Sequence, residues 1–198
     1  MTALDATRAQ DKAAMRAGMR TARRRHRGGA VTLPPPLLAR LIGPAASDDG
    51  APRPRIIATY LPMDDEADPA PLNATALAHG WQLALPHVTT RDAPMRFLLW
   101  AEGAPLAHGP FGLRQPRADA PVARPDIILT PLIAFDAALG RLGQGASFYD
   151  RAFAEMPHVL RIGIAWSVQQ VPKVPLDRWD VPLHGIVTDK GWIGPDTL

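Results

Sequence analysis

The chain contains no cysteine, which excludes a disulfide framework, a thiolate nucleophile and any cysteine-ligated zinc or iron–sulfur centre. It has no apolar run near the ~20 residues that a membrane-spanning helix needs, and its N-terminus lacks the apolar centre of a signal peptide. These absences predict a soluble, cytoplasmic protein. The six histidines have no close metal-ligand spacing, which disfavours a histidine-dominated metal site. No internal repeat of solenoid length is present. Neither the Walker phosphate loop nor the three-glycine dinucleotide fingerprint occurs, so a P-loop NTPase and a Rossmann dehydrogenase are both disfavoured.

What remains is a chain of 198 residues, 46% hydrophobic and 21% charged, enough to bury the core of one α/β domain. Its net charge of +3 comes largely from arginine and favours anionic ligands, without choosing between nucleic acid and small phosphates. The spacing predicts a basic helix over about residues 5–27, on which Lys12, Arg16, Arg20, Arg23 and Arg27 fall within an arc of about 80°. Leu4, Met15, Met19 and Ala22 occupy the adjacent sector, so the helix docks on one side and carries cations along its edge. A solvated arginine face accounts for the same pattern.

Gly28-Gly29 stops that helix, and Pro34-Pro35-Pro36 precedes a short helical stretch ending near Ile42. A loop from Gly43 to Pro54 then leads into strands expected at 55–60, 81–86, 96–100, 126–131, 161–166 and 185–188. Helices are expected at 69–79 and 147–156. Strands alternating with helices predict a largely parallel sheet covered on both faces, and ligands of such sheets gather at the carboxyl ends of the strands. Asp64-Asp65-Glu66, the loop after Pro131 and the segment after Trp166 all lie at those ends, which predicts a shared cleft.

The most informative stretch is Arg141-Leu142-Gly143-Gln144-Gly145-Ala146-Ser147-Phe148-Tyr149-Asp150-Arg151. Two glycines flanked by arginines before a helix start suit a loop that wraps phosphate, where free N–H groups and the positive end of the helix dipole favour an anion. From spacing alone, a plain strand-to-helix turn is the readier account, with Ser147 capping the helix and Asp150 completing a capping-box-like pair.

This stretch resembles the signature of the 5-formyltetrahydrofolate cyclo-ligase (5,10-methenyltetrahydrofolate synthetase) family, close to Arg-Leu-Gly-x-Gly-x-Gly-Tyr-Tyr-Asp-Arg. Arg141, Leu142, Gly143, Gly145, Tyr149, Asp150 and Arg151 match it, and Phe148 is a conservative replacement. Further segments are similar in order: Lys12-x-x-Met15-Arg16, the acidic segment from Leu61 to Glu66, Pro131 to Phe135, Ile162 to Trp166, Gln169, and Asp180-Val-Pro-Leu. The chain departs from the family at Ser147 and Leu132, where glycine is usual, and at Gln144, where an aromatic is common. His87 stands at a variable position and Ala146 at one that is often glycine.

The resemblance implies a single domain over 1–198, a three-layer α/β/α sandwich with a mostly parallel central sheet, Rossmann-like but without the dinucleotide fingerprint. It implies ATP- and Mg2+-dependent closure of 5-formyltetrahydrofolate to 5,10-methenyltetrahydrofolate with release of ADP and phosphate. Lys12, Arg16, Arg141, Leu142, Gly143, Gln144, Gly145, Ala146, Ser147, Phe148 and Tyr149 would contact ATP. Tyr149 and Arg151 would serve catalysis, Leu61 and Glu66 would bind folate, and Asp150 and Asp180 would hold magnesium. The expected partners are 5-formyltetrahydrofolate, with or without polyglutamate, and ATP, with no nucleic acid or membrane and the protein a monomer. The other readings of the same residues are a paralogue that binds ATP or folate without this reaction, and a nucleic-acid contact along the arginine stripe.

Overall fold

The computed structural model describes residues 3–26, 28–33, 41 and 55–195. The core is an eight-stranded sheet in the order β12-β11-β10-β7-β1-β2-β3-β6. Its centre is parallel: β1 (Ile56–Ala58), β2 (Gln82–His87), β7 (Ile127–Pro131), β10 (Leu160–Ile164) and β11 (Gly185–Thr188). Three antiparallel strands flank it: β3 (Arg96–Leu99) and β6 (Val122–Ala123) on one side, β12 (Gly191–Ile193) on the other. Among the described residues, no helix is long and apolar enough to cross a membrane.

Successive strand residues point to opposite faces, and the burial follows that alternation. Ile57, Leu83, Leu129, Ile162 and Val187 join one core cluster with Leu72, Ala76 and Trp81, of which Leu72 and Ala76 belong to helix α2 (Ala70–Ala78). Ala58, Ala84, Ile128 and Ile186 join the other with Ala152 and Phe153 of helix α3 (Phe148–Glu155). This is the expected layering of helices on both faces of a mostly parallel sheet. Helix α2 starts where Asp68 accepts a hydrogen bond from the Ala70 N–H (2.9 Å), and ends before Gly80, whose φ of 79° favours glycine.

Helix α1 spans Ala3–Arg25, so the basic helix ends before His26, and Arg27 lies outside the described residues. Met15 and Met19 pack on Ala134, Leu142 and Val174. The short helix expected up to Ile42 and the loop at 43–54 lie almost wholly outside the described residues, with Leu41 alone described. Strand β1 is shorter than the run 55–60: Thr59 still donates its N–H to the Ala84 carbonyl (2.9 Å), but Tyr60 leaves the ladder, its ring in the core and its hydroxyl on the Ala67 carbonyl.

Two small hairpins went unanticipated. In β4–β5 (Ala107–His108, Arg114–Gln115) and β8–β9 (Ala134–Phe135, Arg141–Leu142), each strand has only two residues, too few for an alternation pattern. The glycine loop therefore leaves from β9 of a hairpin, not from a strand of the main sheet. The β8–β9 turn is fixed by Asp136, whose carboxylate accepts N–H groups of Ala138 (3.1 Å), Gly140 (2.9 Å) and Val174 (2.8 Å).

Candidate active site

Helix α1 lies along the cleft and places one cationic residue per turn against a different wall. Lys12 Nζ donates to Asp177 Oδ2 (2.6 Å) and Asp180 Oδ2 (2.7 Å), and Arg16 Nε donates to the Gly143 carbonyl (2.9 Å). One turn on, Arg20 Nη2 donates to Gln144 Oε1 (2.7 Å), and Arg23 Nη2 donates to Asp65 Oδ1 (3.0 Å). The Arg23 side chain is only 5% exposed and its Nη1 lies 3.8 Å from Glu66 Oε1. Each of these four side chains of the stripe thus has a protein acceptor, with Arg23 buried, Lys12 and Arg16 part-buried and Arg20 on the exposed side.

The glycine loop connects these cations to helix α3. Gly145 has φ 105°, which favours glycine, and a Cβ there would lie 3.5 Å from the Arg16 guanidinium. Ser147 also adopts the left-handed region (φ 53°, ψ 22°), a conformation that strains a residue with a side chain. Its hydroxyl makes no capping hydrogen bond, and Asp150 turns away from the helix end, so the capping-box alternative is set aside. Asp150 Oδ1 instead accepts hydrogen bonds from Arg141 Nη2 (2.7 Å) and from the Val181 N–H (3.2 Å). The second bond brings Asp150 beside the Asp180-Val181 segment. Asp150 is thus bonded to the residue that follows Asp180, and each carboxylate faces a cation, Arg141 for Asp150 and Lys12 for Asp180.

Other expected residues have more structural positions. Leu142 is buried against Met15 and Met19, so its side chain is core. Arg141 is buried behind Asp150 with its guanidinium over the Phe153 ring at 5.0 Å. Arg151 donates Nη1 to the Ala146 carbonyl (3.0 Å) and Nη2 to the Arg91 carbonyl (2.9 Å), clasping the loop to the segment after β2. Phe148 lies under that guanidinium at 5.1 Å, and Ala146 contributes its carbonyl to the clasp. Leu61 follows Tyr60, half-buried, on the same strand-end segment as Glu66.

Glu66 closes the opposite wall. Its Oε2 accepts the Met63 N–H (3.2 Å), and Gln144 Nε2 reaches its Oε1 at 3.4 Å. Burial raises the Glu66 pKa; the Met63 N–H, Arg23 and Gln144 oppose that rise without cancelling it. Burial, helped by the Glu66 charge, also pushes the Tyr149 hydroxyl well above its ordinary value, so it stays a neutral hydroxyl at physiological pH. Burial pushes Asp65 upward too, but the Arg23 hydrogen bond and charge outweigh it and the carboxyl ends below its usual value. Asp65 also accepts, through its carbonyl, the Trp166 indole N–H (2.9 Å), which ties the β1 and β10 ends together.

Gln169 is fully buried and donates to the Leu132 (2.7 Å) and Ile133 (3.1 Å) carbonyls while accepting the Trp166 N–H (2.7 Å). It fixes the walls without facing the cleft. Arg23 enters the sequence reading only through the cationic stripe and Asp65 only through the acidic segment, neither with a site role, and Asp177 carries no local signal. Arg91, whose Nη2 donates to the Gly145 carbonyl (3.3 Å), carried no local signal at all.

The model of the 5-formyltetrahydrofolate cyclo-ligase family matches residues 8–189, which include all of these side chains. A 5-formyltetrahydrofolate cyclo-ligase of Escherichia coli (strain K12) is 33% identical over 144 residues, covering 69% of this chain and 79% of the relative. The Haemophilus influenzae 5-formyltetrahydrofolate cyclo-ligase is 32% identical over 139 residues, 66% of this chain and 74% of the relative. The solution structure of Aquifex aeolicus 5,10-methenyltetrahydrofolate synthetase superposes with a TM-score of 0.63 at 28% identity, covering 91% of both chains. With its cations, its loop and its carboxylates inside the matched region, the chain belongs to the 5-formyltetrahydrofolate cyclo-ligase family.

Proposed function

We propose that this protein converts 5-formyltetrahydrofolate to 5,10-methenyltetrahydrofolate at the cost of one ATP, with Mg2+ required. The observation that carries the reading is the convergence of Lys12, Arg16 and the 143–147 loop beside Asp150 and Asp180, with Glu66 on the facing wall. Cations and free backbone N–H groups on one side suit polyphosphate; a buried acceptor on the other suits the N–H-rich edge of a pterin.

The formyl oxygen is a poor leaving group. Its attack on the γ-phosphorus forms an O–P bond and expels ADP; N10 of the same folate then attacks the activated carbon and loses its proton. Phosphate departs carrying the former formyl oxygen, and the C–O bond is the one broken. No protein nucleophile is required, in keeping with a chain that has no cysteine. The chain's task is to hold two substrates in line and to balance charge. Lys12 and Arg16 bind the phosphates, the loop amides wrap them, and Arg151 keeps the loop closed through Ala146 and Arg91. Tyr149, held neutral, offers a hydroxyl donor rather than a base.

The donor set fits magnesium. Among the described residues no cluster of three or more His, Cys, Asp or Glu side chains is suited to a metal, but Mg2+ commonly takes one or two carboxylates with substrate phosphates completing its shell. Asp150 and Asp180 would hold it, and when bound it would neutralise charge on the transferring phosphoryl group. Lys12, now on Asp180, would then be released toward phosphate.

Oxygen tracing tests this route. With 18O in the formyl group, the label should appear in inorganic phosphate in step with ADP formation. Label in water or formate, or ring closure without ADP, would exclude it.

A further inference from the structure

The acceptor edge of Glu66 is already occupied by the protein itself. Its side chain is only 8% exposed. Oε2 accepts the Met63 N–H (3.2 Å) from its own turn, while Oε1 is reached by Gln144 Nε2 at 3.4 Å. The Arg23 guanidinium, 3.8 Å from Oε1, is beyond hydrogen-bond distance. Gln144 is exposed, and its own Oε1 accepts from Arg20 Nη2 (2.7 Å), so helix α1 holds the side chain with its NH2 turned onto the acid. An amide NH2 on a carboxylate reproduces what the amine of a pterin offers. At 3.4 Å the contact is at the outer limit of a hydrogen bond, so a better-placed donor displaces it readily.

The same residue belongs to the phosphate loop, and arginines hold the carbonyls on both sides of it. The Gly143 carbonyl accepts Arg16 Nε (2.9 Å) and the Gly145 carbonyl accepts Arg91 Nη2 (3.3 Å). Arg16 is the cation proposed above to bind ATP. A charge-assisted bond to phosphate is stronger than one to a neutral carbonyl, so Arg16 would leave Gly143 when phosphate arrives. The Gly143–Gln144 peptide then loses its anchor, and glycine on either side leaves residue 144 free to turn. Nucleotide and folate therefore act on one side chain: the first loosens it and the second takes its place.

We propose that Gln144 occupies the pterin acceptor Glu66 in the free protein and that ATP releases it by drawing Arg16 off the Gly143 carbonyl, so that the two substrates bind with positive coupling; this rests on the function proposed above. Gln144 is thus a positioning residue that acts through Glu66, at a loop position where an aromatic is common in the family and no amide is offered.

The test is isothermal titration of 5-formyltetrahydrofolate into the full chain, with and without Mg2+ and a non-hydrolysable ATP analogue, for the wild type, Gln144→Ala and Gln144→Leu. In the wild type the analogue should tighten folate binding about fivefold. Both variants should bind folate that much more tightly without nucleotide, and the analogue should add nothing. Residue 144 is exposed, so both variants should fold as the wild type does, which melting temperature verifies. Gln144→Leu keeps the bulk and loses the donor; wild-type coupling in that variant would show that folate does not displace the NH2 and would overturn the proposal. Weaker folate binding in either variant, or no coupling in a wild type that still forms 5,10-methenyltetrahydrofolate, would also overturn it while leaving the cyclo-ligase reading intact. Failure of the wild type to bind 5-formyltetrahydrofolate even with the analogue present would overturn both.

Discussion

Ser147 retains the left-handed backbone of its loop although it carries a side chain (φ 53°, ψ 22°). Its strain should be relieved by Ser147→Gly, offset in part by the greater freedom of glycine in the unfolded chain, for a net gain of about 1 kcal/mol in urea unfolding. Two other departures from the family pattern find partners. Leu132 is buried beside Gly163, where an added Cβ would lie 2.9 Å from its Cδ2, so the bulk at one position is matched by its lack at the other. Gln144 bridges Arg20 and Glu66 across the cleft mouth. Glu66 gives the clearest pH behaviour. A carboxyl whose folded pKa is raised contributes stability below its unfolded value and loses it as pH rises through the folded value. Glu66→Gln should therefore be more stable than wild type at pH 7, with the gap closing on acidification. On the proposed role of Glu66 as the ionised acceptor for the pterin, folate binding should fall in the wild type as pH drops through that raised value, and the Gln variant should bind weakly at every pH. An acid limb that survives in Glu66→Gln would assign the titration to another group.

At the scale of elements, helix α1 is tied to the cleft walls by its cations and is proposed to serve as the phosphate-binding arm. Its anchoring pair is Arg23–Asp65, with the guanidinium buried. Arg23→Ala should cost about 3 kcal/mol in chemical denaturation by leaving Asp65 and Glu66 without that cation. Arg23→Lys should not recover the loss, because one ammonium cannot reproduce the forked donor. Lys12→Ala should also raise KM for ATP tenfold or more, at about the cost of a charge-assisted hydrogen bond, and should lower the melting temperature because Asp177 and Asp180 lose the cation they share. An equal rise in folate KM would place Lys12 elsewhere. The helix was legible in sequence because a 3.6-residue period gathers its cations on one edge. What they face was not, since the acids that receive them lie 42 to 168 residues away. Strand β11 (Gly185–Thr188) was equally legible, being apolar and bounded, and α3 was legible to within its caps. The two-residue hairpins were hidden, since strands that short carry no alternation.

Across the whole molecule, the sheet gathers on one edge segments that the sequence keeps far apart: the ends of β1 and β10, the β8–β9 hairpin and the glycine loop, with α1 laid against them. The carboxyl-edge rule predicted that gathering from the alternation of strands and helices alone. Glu66, the hairpin after Pro131 and the segment after Trp166 lie together there, as the alternation led one to expect. Arg91 joins by a route that no local pattern encodes. Because metal and nucleotide are proposed to share the phosphate end, chelation of Mg2+ should abolish turnover and weaken ATP binding while leaving 5-formyltetrahydrofolate binding unchanged. Parallel loss of folate binding on adding a chelator would refute that division of the cleft.

The central claim is most directly tested by following the absorbance of 5,10-methenyltetrahydrofolate as it forms from 5-formyltetrahydrofolate, with ATP and Mg2+ supplied together, singly and not at all. The account predicts product only when both are present, and a much lower rate in folded Asp180→Asn. No product from the folded wild-type chain, or product that ignores ATP, would contradict it.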